Sequence, residues 1–139
     1  DSDAELRDIA KFLASVSAEI PWHVTAFHKD YKMTDPANTT PDMLLEAGAI
    51  GRSSGLRHVY AGNLPGQVGD LEDTYCATCR EPLVRRYGYY IRDYRIRAEG
   101  PSPRCGPAVP GRWSRGFDGQ IASRPFLPGG RSRLKVLWS

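Results

Sequence analysis

Trp22-His23-Val24-Thr25-Ala26-Phe27 is a short run of aromatic and β-branched residues, and it is the stretch that decides the fold. Such residues favour a β-strand, and Pro21 directly before them marks where the strand begins. A second run, His58-Val59-Tyr60-Ala61, is followed by the turn-forming segment Gly62-Asn63-Leu64-Pro65-Gly66. We therefore predict two short strands.

A helix is predicted before each strand. Ser2 and Glu5 have the spacing of a capping box, and apolar residues follow at helical intervals as far as Leu13, which predicts a helix of about three turns. Thr40-Pro41 combines an N-cap with a proline at the first helical position and opens a second helix that Gly55 can end. This order of elements is typical of βα units with a parallel sheet, where ligands bind in loops at the carboxyl ends of the strands.

Polar side chains recur on the predicted strands. Because strand side chains alternate, His23 and Thr25 share one face of the first strand. His58 and Tyr60 likewise share one face of the second, so neighbouring strands would join all four into a polar patch inside a barrel. The alternative is that both histidines are hydrogen-bonded core residues, which is the more common state of a histidine. His28 differs, because it lies in the loop just past the first strand, where binding residues concentrate.

Two cysteine-containing segments predict a metal site. Cys76-Ala77-Thr78-Cys79 has the C-x-x-C spacing typical of one half of a zinc site. Ser102-Pro103-Arg104-Cys105-Gly106 has the shape of the other half, except that serine occupies its first ligand position. The 22 residues between Cys79 and Ser102 lie slightly beyond the usual range for a zinc ribbon. We predict a zinc-ribbon-like module with Cys76, Cys79 and Cys105 as ligands, and a redox pair is the alternative.

The fourth ligand of this predicted site is in question. Ser102 is a poor zinc ligand because its hydroxyl is not ionised at neutral pH. A water molecule or Asp73 would have to complete the tetrahedron.

Arginines and tyrosines are interleaved in the hairpin-like stretch from Leu83 to Ile96 and just beyond it. Guanidinium groups and rings in this pattern can bind the phosphates and bases of nucleic acid. The alternative, which we favour, is that long side chains cover the surface of a module with little core. The residues are Arg85, Arg86, Arg92, Arg95, Arg97, Tyr87, Tyr89, Tyr90 and Tyr94.

Composition divides the 139 residues into pieces. The net charge of +3 is the sum of −6 over residues 1–75 and +9 over residues 76–139. We expect three parts: βα units over 1–70, a ribbon over 71–113, and an Arg/Gly/Pro-rich, disordered tail over 114–139. The chain begins with Asp1 beside a helix cap, so we expect a fragment of a longer protein.

Composition also bears on the compartment. There is no apolar run near the roughly 20 residues of a membrane span, and no signal-peptide pattern. An odd number of cysteines with a C-x-x-C pair fits a reducing compartment. We predict a cytoplasmic protein without a membrane partner.

Several separated segments together resemble one family. They are residues 21–28, Asp30-Tyr31-Lys32-Met33-Thr34-Asp35, residues 59–66, Thr74-Tyr75-Cys76 and Val109-Pro110-Gly111-Arg112-Trp113. In this order they resemble the AmmeMemoRadiSam system radical SAM enzymes, which are relatives of the pyruvate formate-lyase activating enzymes. The resemblance covers about residues 2–113.

The resemblance implies a fold, a reaction and cofactors. The fold would be the late βα units of a partial radical SAM barrel, followed by the ribbon. Such enzymes bind a 4Fe-4S cluster and S-adenosylmethionine, which is cleaved to a 5′-deoxyadenosyl radical for hydrogen abstraction. The family's C-x-x-x-C-x-x-C cluster loop is absent from this chain, so we expect it to be inactive alone. A binding module for nucleic acid or a protein partner is the alternative function.

The resemblance also implies roles for four residues. His28 would contact the adenosyl group of S-adenosylmethionine. Tyr31, Lys32 and Asp35, in the loop that follows, are candidates for the substrate side. The substrate itself cannot be read from these residues.

Overall fold

The computed structural model describes residues 2–34, 37–96, 102–107, 109 and 111. Asp35, Arg97 and the predicted tail over 114–139 therefore lie outside the described residues. The elements in chain order are helix α1 (Asp3–Val16), strand β1 (Trp22–Thr25), helix α2 (Pro41–Ser53), strand β2 (Val59–Gly62), a 3₁₀ turn (Gly69–Glu72) and strands β3 (Thr74–Tyr75), β4 (Pro82–Tyr87) and β5 (Tyr90–Tyr94).

Both predicted helix starts are confirmed. The Glu5 N–H donates to the Ser2 hydroxyl at 3.4 Å and the Ser2 N–H donates to the Glu5 carboxylate at 2.7 Å, which is the predicted capping box. The Met43 N–H donates to the Thr40 hydroxyl at 3.4 Å, and Gly55 follows the second helix at φ +103°. Helix α1 has 14 residues, about one turn more than predicted, because no helix-breaking residue precedes Ser17.

The two predicted strands are parallel neighbours. Trp22 is opposite Val59, His23 is opposite Tyr60, and the register runs on to Thr25 and Gly62. Strand β1 ends two residues before the predicted Phe27, because the Phe27 N–H turns away to the Thr39 hydroxyl at 3.0 Å. Strand β2 begins one residue after the predicted His58.

Helix α2 packs closely against the strands. A Cβ added to Gly51 would lie 2.5 Å from Cε3 of Trp22, so only glycine allows the ring to lie this close to the helix. The first core forms around this contact. Its buried residues are Ala10, Trp22, Ala26, Leu44, Ile50, Leu56, Val59, Ala61, Val68 and Leu71.

Strands β3, β4 and β5 form an antiparallel sheet in that order, and β4 and β5 are the predicted hairpin. This sheet has a second, smaller core made of Cys76, Leu83, Val84, Ile96 and Val109. We call α1, β1, α2, β2 and the 3₁₀ turn the βα unit, and the three-stranded sheet with its two cysteine segments the ribbon.

The Glu72 carboxylate joins the two parts. It accepts the Gly66 N–H, in the loop after β2, and at 3.1 Å the Gly88 N–H, in the turn between β4 and β5. The Gly66 bond lies within the βα unit, and the Gly88 bond ties the turn of the ribbon to that unit.

A mixed α/β fold is confirmed, and the barrel remains a prediction. The described residues contain one parallel pair of strands and one antiparallel sheet. No helix of the described part is long and apolar enough to cross a membrane.

Candidate metal centre and adjoining cleft

The three cysteines come together in the ribbon. Their sulfur atoms all lie within 4.8 Å of one another, and the Sγ atoms of Cys76 and Cys105 are 3.5 Å apart. Cys76 is buried, Cys79 is half-buried and Cys105 is exposed. A third sulfur this close favours a metal site over a C-x-x-C redox pair.

Cys76 and Cys79 lie in a tight turn that we call the first knuckle (residues 76–81). The Arg80 N–H donates to the Cys76 carbonyl at 3.0 Å, and the Cys76 N–H donates to the Glu81 carbonyl at 2.9 Å. Arg80 has φ +58°, the left-handed conformation that ends such a turn.

Ser102 and Cys105 lie in a second knuckle (residues 102–107) with the same two backbone bonds. The Gly106 N–H donates to the Ser102 carbonyl at 3.1 Å, and the Ser102 N–H donates to the Pro107 carbonyl at 3.1 Å. Gly106, at φ +83°, occupies the position of Arg80. Ser102 is therefore the structural equivalent of Cys76, and Cys105 that of Cys79.

The Ser102 hydroxyl faces the sulfur cluster. Its Oγ lies 3.7 Å from the Sγ of Cys79, and the residue is only 1% exposed. The predicted vacant ligand position is thus beside the three thiols. Asp73, the other predicted fourth ligand, is directed elsewhere: its carboxylate accepts the Arg86 N–H at 2.8 Å and the Tyr75 hydroxyl at 3.4 Å.

The knuckles also control the charge of the thiols. Burial raises the pKa of Cys76, but the N–H groups of Cys79 and Thr78 and the neighbouring thiols outweigh it and lower the pKa to about 6. The Ser102 hydroxyl accepts the Arg104 N–H at 3.4 Å, just as Cys76 accepts that of Thr78. The Ser102 hydrogen bond lowers the pKa of Cys105, but the Cys79 and Cys76 thiols and burial raise it overall.

These distances suit one small metal ion. A tetrahedral ion with bonds of about 2.3 Å to sulfur holds its sulfur ligands roughly 3.8 Å apart. The Sγ separation of 3.5 Å between Cys76 and Cys105 is close to that value, and all three sulfur atoms lie within 4.8 Å of one another. The three cysteines could therefore bind a metal ion.

A cleft of about 500 Å³ lies between the βα unit and the ribbon. It follows one face of the parallel strands to the carboxyl end of β2. Its described walls include His23, His58, Tyr60, Gly62, Asn63, Glu72, Thr74, Arg86 and Tyr89.

His23 and Tyr60 form a stacked pair on this face of the sheet. Their ring centres are 4.8 Å apart and the rings are inclined by 22°. Burial and, secondarily, the positive charge of Arg86 lower the pKa of His23 below its usual value. The lowered pKa favours the neutral imidazole, although His23 is an exposed residue and not the core residue of the structural alternative.

His58 is a core residue, as the structural alternative predicts. It is 7% exposed, and its Nε2 lies 3.1 Å from a carboxylate oxygen of Glu19. Arg57 donates to the other oxygen of the same carboxylate. Burial raises the pKa of Glu19, but the hydrogen bonds from His58 and Arg57 outweigh it, so the pKa is lowered.

Three of the four residues that the family resemblance singles out lie outside this cleft. His28, Tyr31 and Lys32 are exposed residues of the loop after β1, and Tyr31 is 91% exposed with the Lys32 ammonium 5.4 Å from its ring centre. Asp35 lies outside the described residues. His28, Tyr31 and Lys32 therefore do not line this cleft.

Sequence reasoning did not single out Arg86, Thr74 or Glu72 as cleft residues. A usable signal exists for Arg86, because it is two residues from the buried Val84 on the same strand. Glu72, in the 3₁₀ turn, and Thr74, in β3, also line the cleft, and we find no comparable signal for them in the sequence.

The interleaved arginines of the ribbon mostly contact the ribbon itself. Arg92 lies over the Tyr87 ring at 4.8 Å, and Arg95 forms ion pairs with Asp93 at 2.6 Å and Glu81 at 3.1 Å. Such contacts fit the role of covering a small module.

Comparison with known proteins gives one distant relative. No family model matches this chain, and no solved structure matches it. It is similar to an uncharacterized protein, MJ0808, of Methanocaldococcus jannaschii, with 44% identity over 69 residues. The match covers 50% of this chain, and it spans 20%, a fifth, of the length of that relative.

Proposed function

We propose that this chain is the C-terminal part of a radical SAM enzyme, whose βα unit lines the ligand cavity and whose ribbon holds a zinc ion. The observation that carries the proposal is the cleft along the parallel strands, which lies where βα folds gather their ligands. Its volume of about 500 Å³ is within the usual range of small-molecule sites. The family resemblance of the separated segments supplies the reaction class.

An unpartnered helix face supports a larger parent protein. Ile9, Phe12 and Val16 recur at helical spacing on α1 and are 46%, 67% and 65% exposed. A parallel sheet is normally covered on both faces and extended by further strands. In a barrel, additional βα units would cover this helix face and extend the parallel sheet.

We propose zinc rather than a 4Fe-4S cluster for the three cysteines of this chain. Such a cluster binds each cysteine through a different iron, which spreads the sulfur atoms apart. Here the Sγ atoms of Cys76 and Cys105 are 3.5 Å apart, and matched knuckles hold them. We assign the three cysteines to zinc and the cluster to a C-x-x-x-C-x-x-C loop elsewhere in the parent protein.

The residues of this chain then have positioning roles. The cluster and S-adenosylmethionine supply the radical chemistry, while the protein binds and orients the reactants. The stacked pair of His23 and Tyr60 gives the cavity a flat wall, and the ribbon excludes water from one side of it. Zinc, bound by three thiolates and a water beside Ser102, holds the ribbon together.

The alternative function, a ribbon that binds nucleic acid, has less support. Arg92 and Arg95 have partners within the ribbon, and Arg86 faces the cleft. Exposed Arg85 and Tyr89 remain for such a surface.

The test uses the complete parent protein, purified without oxygen. We expect one 4Fe-4S cluster and one zinc ion per chain, and 5′-deoxyadenosine formed from S-adenosylmethionine when dithionite is added. In a Cys76→Ser, Cys105→Ser variant the zinc should be lost while the cluster stays. The proposal is wrong if the parent forms no cluster and no 5′-deoxyadenosine, or if this variant loses its iron.

A His28→Ala variant of the same protein tests the adenosyl contact. We expect S-adenosylmethionine to bind about ten- to a hundredfold more weakly, the effect of one lost hydrogen bond to a charged or polar group. Cluster and zinc content should be unchanged. Affinity within about twofold of the parent by calorimetry, together with a lower melting temperature, would assign His28 a structural role instead.

A further inference from the structure

Arg86 lies in the wall of the cleft with part of its hydrogen-bonding capacity unused. Its Nη1 donates to the Thr74 hydroxyl at 3.1 Å and to the Glu72 carbonyl at 3.4 Å. Both acceptors are neutral, and among the described residues no carboxylate lies within ion-pair distance of this guanidinium. Nε and Nη2 have no acceptor in the same described part of the chain.

The unused donors are accessible. Within the described ranges, no fully buried side-chain nitrogen or oxygen lacks a partner, so Nε and Nη2 of Arg86 must reach solvent, and the residue lines the cleft. Together, Nε and Nη2 form the planar fork that binds a carboxylate or phosphate through two parallel hydrogen bonds.

The carboxylates of the cleft walls already have other donors. Glu19 is held by Arg57 and His58. Glu72 accepts the backbone N–H groups of two loops. Among the described residues around the cleft, Arg86 is thus the arginine without a carboxylate partner, and Glu72, held by neutral N–H groups, is the carboxylate without a cation.

The guanidinium is held in a fixed relation to the ring pair. The Tyr60 hydroxyl donates to the Thr74 oxygen at 3.3 Å, and this is the same oxygen that Arg86 contacts. His23 stacks on Tyr60, and its lowered pKa favours the uncharged ring beside Arg86. The cleft therefore presents a positive fork beside a flat aromatic surface.

We propose that the cleft binds the anionic end, a carboxylate or a phosphate, of a small molecule, with Nε and Nη2 of Arg86 as the anchor and the His23–Tyr60 pair beside it. This inference rests on the proposed function only in taking the cleft as the ligand cavity. It names the class of molecule that the cavity accepts.

The test is a titration of the metal-loaded chain with malonate and, separately, with inorganic phosphate. Sodium chloride keeps the ionic strength constant, and NMR follows the Arg86 side-chain N–H and the rings of His23 and Tyr60. We expect saturable shifts at all three, and the tighter of the two anions identifies the head group. Arg86→Met should weaken binding at least about tenfold, whereas Arg85→Met, at the exposed neighbouring position, should stay within about twofold.

A second variant keeps the test decisive if Arg86→Met does not fold. Arg86→Lys keeps the positive charge but loses the planar fork of donors, so we expect it to bind the anion more weakly. Its amide NMR spectrum should match that of the parent chain, which would show that the variant is folded. Shifts without saturation, equal losses in the Arg85 and Arg86 variants, or parental affinity in Arg86→Lys would each overturn the proposal. If the parent protein forms no 5′-deoxyadenosine but the chain still binds the anion, the proposed enzyme function is wrong and the anion site stands.

Discussion

The βα unit and the ribbon are stabilised in different ways. Among the described residues, the βα unit has ten buried core residues, and the Trp22 ring packs directly against Gly51. The ribbon has five, and one of them, Cys76, is a candidate metal ligand. A core this small supplies little burial free energy, so a bound metal would have to add to it. Packing therefore accounts for the stability of the βα unit, and our proposal is that metal binding stabilises the ribbon.

Metal removal should produce the largest difference in stability between the ribbon and the βα unit. Because metal binding and folding are coupled in small cysteine sites, we expect a chelator to unfold the ribbon and leave the helices of the βα unit in place. Hydrogen exchange should then show fast exchange for Val84 and slow exchange for Ile50. Returning zinc should restore the protection of Val84. An equal loss of hydrogen-exchange protection in both parts, or no loss in either, would contradict the distinction between them.

Gly51→Ala should destabilise the βα unit and leave the ribbon unchanged. Its new methyl group would lie 2.5 Å from the Trp22 ring, and overpacking of this kind costs about 1–3 kcal/mol, less the small helix gain of alanine. We expect a lower free energy of unfolding for the βα unit, measured with urea, and unchanged zinc affinity. Glu46→Ala, on the exposed side of the same helix, is the control and should change neither.

Ser102→Cys should strengthen the ribbon alone. A fourth thiolate at this position completes the tetrahedron, so we expect zinc affinity to rise at least about tenfold in competition with a chelator. Ser54→Cys, outside the ribbon, is the matched control. Unchanged affinity in Ser102→Cys would show that Ser102 does not face the metal.

The smallest change in stability should come from replacing Glu19. Its carboxyl has a lowered pKa in the folded chain, so its contribution to stability is present above the usual value of 4.5 and is lost as the pH falls through the lower folded value. Glu19→Gln should therefore lose about 1 kcal/mol at pH 7 and less at pH 3. Urea unfolding at both values measures this, with Glu46→Gln as the exposed control. A loss that is the same at both pH values would contradict the linkage.

Much of the βα unit follows from local sequence. The Ser2 and Thr40 caps and the β-branched runs predict its helices and strands, because these signals act between residues a few positions apart. The strand ends could not be predicted, since the Phe27 N–H leaves the ladder for a hydroxyl 12 residues away.

The site was only partly predictable. The spacing of Cys76 and Cys79 and the serine at position 102 predict the metal centre, because knuckles are local. Arg86 enters the cleft only through the way the ribbon sits on the βα unit, which involves contacts between distant residues. Only the resemblance singles out His28, an exposed residue of the loop after β1, so its role stays a prediction.

X-ray absorption at the zinc edge of the purified chain tests the central claim most directly, because it counts the atoms bound to the metal. The account predicts one zinc ion with three sulfur ligands at about 2.3 Å and one oxygen at roughly 2.0 Å. In Ser102→Cys the oxygen should be replaced by a fourth sulfur. A chain that holds no metal, or whose metal has fewer than three sulfur ligands, would contradict the account.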